Sequence, residues 1–220
     1  MSELFLDNAS SPPVRGALHR PATPSGDGLV LTHGAGGNCN APLLVALADA
    51  FCARGLTVLR CDLPYRQQRP TGPPRGSGAE DREGLRRAAE ACRKAAHGRL
   101  FLGGISYGGR QATMLAAEDP AVCDGLLVLS YPLHPPGKPE QLRIKHLPDI
   151  RVPALFVSGD KDPFGAPPEL EQALRLVPTK PRLLIVEKAG HDLGFGKRAI
   201  TKAGDLPASI LQTFVQRFAL

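Results

Sequence analysis

Ser106 is the residue whose setting bears most directly on chemistry. It stands in Gly104-Ile105-Ser106-Tyr107-Gly108, after the apolar run Arg99-Leu100-Phe101-Leu102 and before a stretch of good helix formers from 110 to 118. This is the G-x-S-x-G pattern of a strand turning sharply into a helix. So tight a turn strains the serine backbone, and bulky side chains two positions away would strike the strand and the helix; glycine removes that clash. The hydroxyl is then lifted clear of the sheet, over a helix start whose free N–H groups and partial positive charge suit a developing oxyanion.

A serine hydroxyl is a weak nucleophile and needs a base within hydrogen-bond reach, itself oriented by a carboxylate. Downstream stand Ser158-Gly159-Asp160-Lys161-Asp162-Pro163 and Ala189-Gly190-His191-Asp192. Asp162 ends a G-x-x-D pattern that carries its side chain clear of a strand, and it is the favoured acid. Asp160 is the alternative, better suited to holding the loop through backbone hydrogen bonds. His191, on a small-residue loop, is the base candidate; His19, His97, His134 and His146 are less well placed. The oxyanion donors would be the N–H of Tyr107 and that of Ala35, or next of Gly36, in His33-Gly34-Ala35-Gly36-Gly37. This loop is not G-x-G-x-x-G, because Cys39 stands at the last glycine position. No Lys-Ser or Lys-Thr follows either glycine-rich turn, which excludes a P-loop.

Positioning such residues requires several elements. Apolar strand patterns fall at 28–33, 56–61, 99–102, 125–130, 154–159 and 182–186, with weaker pieces at 4–6 and 14–19. Helical spacing of apolar residues marks 42–51, 80–96 and 168–176, good helix formers fill 110–118, and a final helix capped by Asp205 carries Ile210, Leu211, Phe214, Val215 and Phe218 on one face. Asn40 is the expected N-cap of the first helix, ahead of Pro42. Residues 62–78 read as an irregular loop, and 131–151 as a proline-rich connection with at most a short helix at 140–146. Apolar strands alternating with amphipathic helices mean a parallel sheet covered on both faces. Ligands of such sheets bind beyond the carboxyl ends of the strands, where His33, Ser106, Asp160, Asp162 and His191 all fall.

The 220 residues suit one domain, 1–220, and leave no room for a second of full size. A 42% hydrophobic and 22% charged composition fits a soluble globular chain, and no apolar run nears the roughly 20 residues of a membrane span. The start is acidic and mixed rather than basic and then apolar, so no secretory leader is expected and the chain reads as cytoplasmic. The five cysteines include no C-x-x-C pair, which points to reduced, mostly buried thiols and to no zinc site. No metal and no cofactor are expected. A net charge of +6 invites an anionic partner, yet the Lys and Arg are dispersed, aromatics are 5% and Trp is absent. That is poor material for stacking bases, so neither nucleic acid nor membrane is expected as a partner. The partner expected is a small acyl substrate, bound by a monomer or homodimer.

Taken together, His33-Gly34, the motif around Ser106, Gly159-Asp160-Lys161-Asp162 and Gly190-His191 resemble the α/β-hydrolase superfamily over essentially the whole chain from Gly28. Residues Leu31-Thr32-His33-Gly34-Ala35-Gly36-Gly37, Arg60-Cys61-Asp62-Leu63-Pro64-Tyr65-Arg66 and Ser130-Tyr131-Pro132-Leu133-His134 further resemble a compact subfamily. Its bacterial members are mostly predicted hydrolases, and its eukaryotic relatives include a subunit of a nuclear histone-acetyltransferase complex. The resemblance implies an α/β-hydrolase fold, with a mostly parallel, doubly wound sheet, helices on both faces and no sizeable cap domain, because the 131–151 connection is short. It implies a carboxylesterase- or thioesterase-like serine hydrolase working through Ser106, His191 and Asp162 and an acyl-enzyme; the alternative is an inactive interaction domain. His33, Tyr65, Arg66, Tyr131, Leu133 and His134, with Arg69, are the candidates to line the substrate site. Arg110 reads as a structural contact on its helix, Cys39 as a small loop residue, and the arginines near the mouth as a solvated face rather than a site for an acidic acyl group.

Overall fold

In Gly28–Thr32 and Gly125–Leu129 every residue is buried, so these strands need cover on both faces and belong inside a parallel sheet. The computed structural model describes residues 2–196 and 205–220. Its strands are β1 (Ser2–Asp7), β2 (Val14–His19), β3 (Gly28–Thr32), β4 (Thr57–Asp62), β5 (Leu100–Ile105), β6 (Gly125–Leu129), β7 (Ala154–Gly159) and β8 (Arg182–Val186). Its helices are α1 (Pro42–Ala53), α2 (Pro64–Gln68), α3 (Ala79–Ala95), α4 (Tyr107–Glu118), α5 (Pro167–Leu174) and α6 (Leu206–Phe218). The strands form one eight-stranded sheet in the order β1-β2-β4-β3-β5-β6-β7-β8. Only the β1–β2 and β2–β4 pairs are antiparallel.

Successive strand side chains point to opposite faces, and the packing follows that alternation. Leu29 and Leu31 of β3 join Leu43, Leu47 and Phe51 of α1 and Phe214 of α6 on one face. Val30, with Leu100 and Leu102 of β5, joins Leu85 and Ala88 of α3 and Leu115 of α4 on the other. Phe214 meets Phe51 and Phe101 edge-on, at 4.9 Å between ring centroids in each case. From β3 the chain moves outward to β4 and then returns to β5 on the opposite side. That reversal opens a crevice at the carboxyl ends of β3 and β5, where the glycine-rich loop and Ser106 lie.

Several local expectations need correction. Residues 62–78 are not wholly irregular: α2 begins at Pro64, and Pro64, Tyr65 and Arg66 are buried. Five residues are too few to show a helical period in sequence, and tertiary contacts hold the turn instead. No helix covers 140–146; a single 3₁₀ turn follows at Leu147–Asp149, so the connection builds no cap. Ala41, not Asn40, occupies the N-cap of α1, because the Asn40 side chain accepts from the Arg60 guanidinium at 3.1 Å. Asp205 sits at the N-cap of α6 but makes no side-chain cap bond. On α6 Val215 is half-buried whereas Thr213 is buried. The Thr213 hydroxyl donates to the Ser209 carbonyl at 2.8 Å, which satisfies it inside the protein.

Candidate active site

Ser106 has φ 52° and ψ −112°, a left-handed conformation that L residues rarely adopt. Its neighbours make the turn possible. A Cβ at Gly104 would lie 2.7 Å from the Thr32 carbonyl oxygen, and one at Gly108 2.5 Å from that of His33. The serine is pinned on both sides: its N–H donates to the Leu129 carbonyl at 2.7 Å, and its carbonyl accepts from the Arg110 N–H at 2.9 Å.

Three side chains from separate loops meet here. Ser106 Oγ is 2.8 Å from His191 Nε2, and His191 Nδ1 is 2.8 and 3.0 Å from the two oxygens of Asp162. An ionised carboxylate only accepts, so Nδ1 carries the ring proton and Nε2 turns its lone pair toward the serine. The Asp162 side chain is 1% exposed and His191 24%. One Asp162 oxygen also accepts the Phe164 N–H at 2.9 Å, and the Phe164 ring stacks on His191 at 4.1 Å between centroids. Asp160 is exposed and does not touch the imidazole. It accepts the Ala189 N–H at 3.2 Å and so ties down the loop that carries His191.

The glycine-rich loop after β3 is held from behind. The Gly34 carbonyl accepts from His33 Nδ1 at 2.9 Å and the Tyr65 hydroxyl at 3.2 Å. The Ala35 carbonyl accepts from the Tyr65 hydroxyl at 3.0 Å and Arg66 Nη2 at 2.9 Å. In a planar trans peptide the N–H points opposite to the carbonyl. With both carbonyls turned inward, the N–H groups of Ala35 and Gly36 point outward, to the cleft those residues line. The first N–H of α4, that of Tyr107, is also without an intrahelical acceptor. His33 is neutral here. Its Nε2 accepts the Leu63 N–H at 3.1 Å and burial pushes its pKa down, so the 3.6 Å approach to Asp62 is no ion pair. Sequence reading missed Asp81, a buried carboxylate in the first turn of α3. It accepts the Tyr107 hydroxyl at 2.6 Å and the Tyr65 N–H at 3.1 Å, joining the two sides of the loop. Burial and the Asp81 carboxylate push the Tyr107 phenol up, so it stays a donor.

The cleft above Ser106 has a volume of about 860 Å³. Its walls come from the two expected regions, with Pro73 and Pro74 from 62–78 and Pro132 and Arg143 from 131–151, but not from the expected residues. His33, Tyr65, Arg66, Tyr131, Leu133 and His134 are all at most 6% exposed and none lines the cleft. The polar side chains among them bond the protein's own backbone instead. Arg66 donates to the carbonyls of Ala35, Gly37, Arg69 and Gly72. The Tyr131 hydroxyl donates to the Arg143 carbonyl, and His134 Nδ1 lies 2.9 Å from the Pro135 carbonyl. Leu133 packs beside Gly165. Arg69 also stays off the cleft, and its guanidinium donates to the Pro73 carbonyl at 3.0 Å. Cys39 is buried, with its thiol pushed up to about 11 by burial. Arg110, expected to be a structural contact, lines the cleft, as does Phe164, which sequence reading did not single out.

Comparison with known proteins places the fold. Solved structures with the same fold include an alpha-beta serine hydrolase homologue from Coxiella burnetii, 16% identical, with a TM-score of 0.76 and 96% of each chain covered. A lidless a/b serine hydrolase from Xanthomonas campestris is 22% identical with a TM-score of 0.75, covering 99% of this chain and 94% of that one. A dienelactone hydrolase from Anabaena variabilis is 21% identical with a TM-score of 0.75, covering 100% and 97%. The family model for the alpha/beta hydrolase domain matches residues 26–218, and the chain belongs to that family.

Proposed function

We propose that this chain is a serine hydrolase that cleaves an ester or thioester of a small acyl substrate. The observation that carries this reading is the continuous hydrogen-bonded line from Ser106 through His191 to Asp162, opening onto a cleft. As Ser106 Oγ attacks the carbonyl carbon, His191 Nε2 takes its proton and Asp162 stabilises the imidazolium. The negative charge moves to the carbonyl oxygen, where the N–H of Tyr107 and that of Ala35, with Gly36 as the neighbouring alternative, stabilise it. When the tetrahedral intermediate collapses, the alcohol or thiol leaves with the proton from His191, and the acyl group stays on Ser106. Water then gives its proton to His191, attacks the acyl carbon and releases the acid, which restores the serine. No step calls for a cofactor.

A fluorophosphonate probe tests the reading, because it reacts only with an activated serine. Stoichiometric labelling of Ser106, located by peptide mass, is the expected result. An inactive fold kept only to bind partners would leave Ser106 unlabelled.

The grip on the glycine-rich loop has its own consequence. Tyr65→Phe deletes the hydroxyl that holds both carbonyls and loosens the N–H groups opposite them. Removal of one oxyanion donor costs roughly 10²–10³-fold, and a donor merely loosened should cost less. We expect kcat to fall by about 10- to 100-fold, with KM little changed, since the oxyanion forms only during reaction. Steady-state kinetics on a p-nitrophenyl ester would show it; unchanged kcat in a folded variant would refute it.

A further inference from the structure

We infer that the substrate carries an anionic oxygen group, a carboxylate or a phosphate, received between Arg110 and Arg143 in the cleft beside Ser106. The inference rests on the hydrolase reading and names the class of substrate. Both arginines line the same cleft as Ser106 and His191. Arg110 lies four residues after Ser106, which places it one helical turn on, on the nucleophile's side of α4.

Other buried or half-buried arginines of this protein have partners. Arg66 is used by four carbonyls, Arg82 and Arg86 pair with Glu118 and Asp119, and Arg60 donates to the Asn40 side chain. Arg110 is different: its Nε is buried and makes no hydrogen bond among the described residues. Arg143 spends one N–H on the Pro132 carbonyl at 3.2 Å, while a guanidinium carries five. Neither arginine forms an ion pair among the described residues, and positions 1 and 197–204 contain no Asp or Glu that could supply one.

The arrangement is nevertheless built and held. The Arg143 N–H donates to the Leu133 carbonyl at 2.8 Å, and its own carbonyl accepts the Tyr131 hydroxyl. Two cations in one wall oppose each other. Burial and the Arg110 charge lower the pKa of Arg143, and burial with the same charge pushes His146 down to about 4. Among the described residues the one acidic side chain on the cleft is Asp192, exposed next to His191, and its Oδ1 is taken by the Gly194 N–H at 3.0 Å. An anion between the guanidiniums would relieve their repulsion, and the planar fork suits both carboxylate and phosphate.

Matched substrates test this. One pair is p-nitrophenyl butyrate and the p-nitrophenyl monoester of succinic acid, which puts a carboxylate on the acyl chain. The other is the butyryl thioester of pantetheine and that of 4′-phosphopantetheine, which puts a phosphate on the leaving group. In at least one pair the anionic member should have a kcat/KM roughly 10- to 100-fold above its neutral twin, the range of a charge-assisted hydrogen bond. Arg110→Gln and Arg143→Gln should bring that ratio toward one, and Arg→Lys at either site should restore part of it. Which pair responds identifies the source of the anion. Neutral twins used equally well, or variants that leave the ratio unchanged, would overturn the inference. A protein that hydrolyses neither pair fails as a hydrolase, and the anion site is then judged by calorimetry on Ser106→Ala. Succinamate or glycerol phosphate should bind there, butyramide should not, and Arg110→Gln should abolish the heat; no binding of either anion would refute the site.

Discussion

Ser106→Ala is expected to lower kcat by about 10⁴-fold or more on any ester the protein hydrolyses, while the fold survives. The proposed chemistry needs an oxygen at that position, and the variant removes only that atom. The backbone consequence can be worked out separately. Ser106 sits at φ 52°, where the cost arises from the Cβ, and alanine keeps its Cβ. The substitution therefore neither adds nor relieves strain. What it loses is the contact with His191 Nε2, a hydrogen bond whose net contribution to stability is about 1 kcal/mol or less at a half-exposed site. A melting temperature within a few degrees of the parent, together with lost turnover, is the expected pair of results. Retained p-nitrophenyl ester hydrolysis would remove Ser106 from the reaction. Collapse of the fold would instead mean that the serine hydroxyl is structural.

The parts of the site visible in sequence are those fixed by local rules. The turn at Ser106 is visible because Gly104 and Gly108 are the residues a close strand–helix approach demands. The loops carrying Asp162 and His191 announce themselves as small-residue turns after apolar strands. Their proximity follows once the strands are ordered, since all the parallel carboxyl ends share one rim. The cleft walls obey no such rule. A tyrosine or arginine in a loop near the rim can face substrate or hold backbone, and Tyr65 and Arg66 hold backbone. Which of the two occurs depends on how α2 docks, and five residues carry no period from which to read that. Asp81 was hidden for a related reason. An acidic residue in the first turn of a helix suits the helix dipole, and its bond to Tyr107 spans 26 positions. Two wall residues did leave a trace. Arg110 is at i+4 from Ser106, and Phe164 follows Asp162 by two, the spacing at which an Asp carboxylate bonds the backbone ahead of it.

The two carboxylates of the acid loop should separate cleanly on conservative substitution. Asp162→Asn is expected to cost about 10⁴-fold in kcat, the loss that the same change brings in the chymotrypsin-type triad. The geometry should survive, because the amide oxygen can still accept the Phe164 N–H and the Phe164 ring still packs on His191. The proton's location should not survive. An amide nitrogen facing Nδ1 presents a donor, so the imidazole moves its hydrogen to Nε2 and turns an N–H toward Ser106. A ring in that state cannot take the serine proton. Asp160→Asn keeps the oxygen that accepts the Ala189 N–H, and should leave kcat within about tenfold of the parent. Asp160→Ala removes that acceptor and should lower the melting temperature slightly, since the group is exposed and water can replace it. Steady-state kinetics and melting curves on the three variants decide the matter. Equal losses at both positions, or a larger loss at Asp160, would mean that the Asp162–His191 contact does not hold the tautomer on which the proposed proton transfer depends.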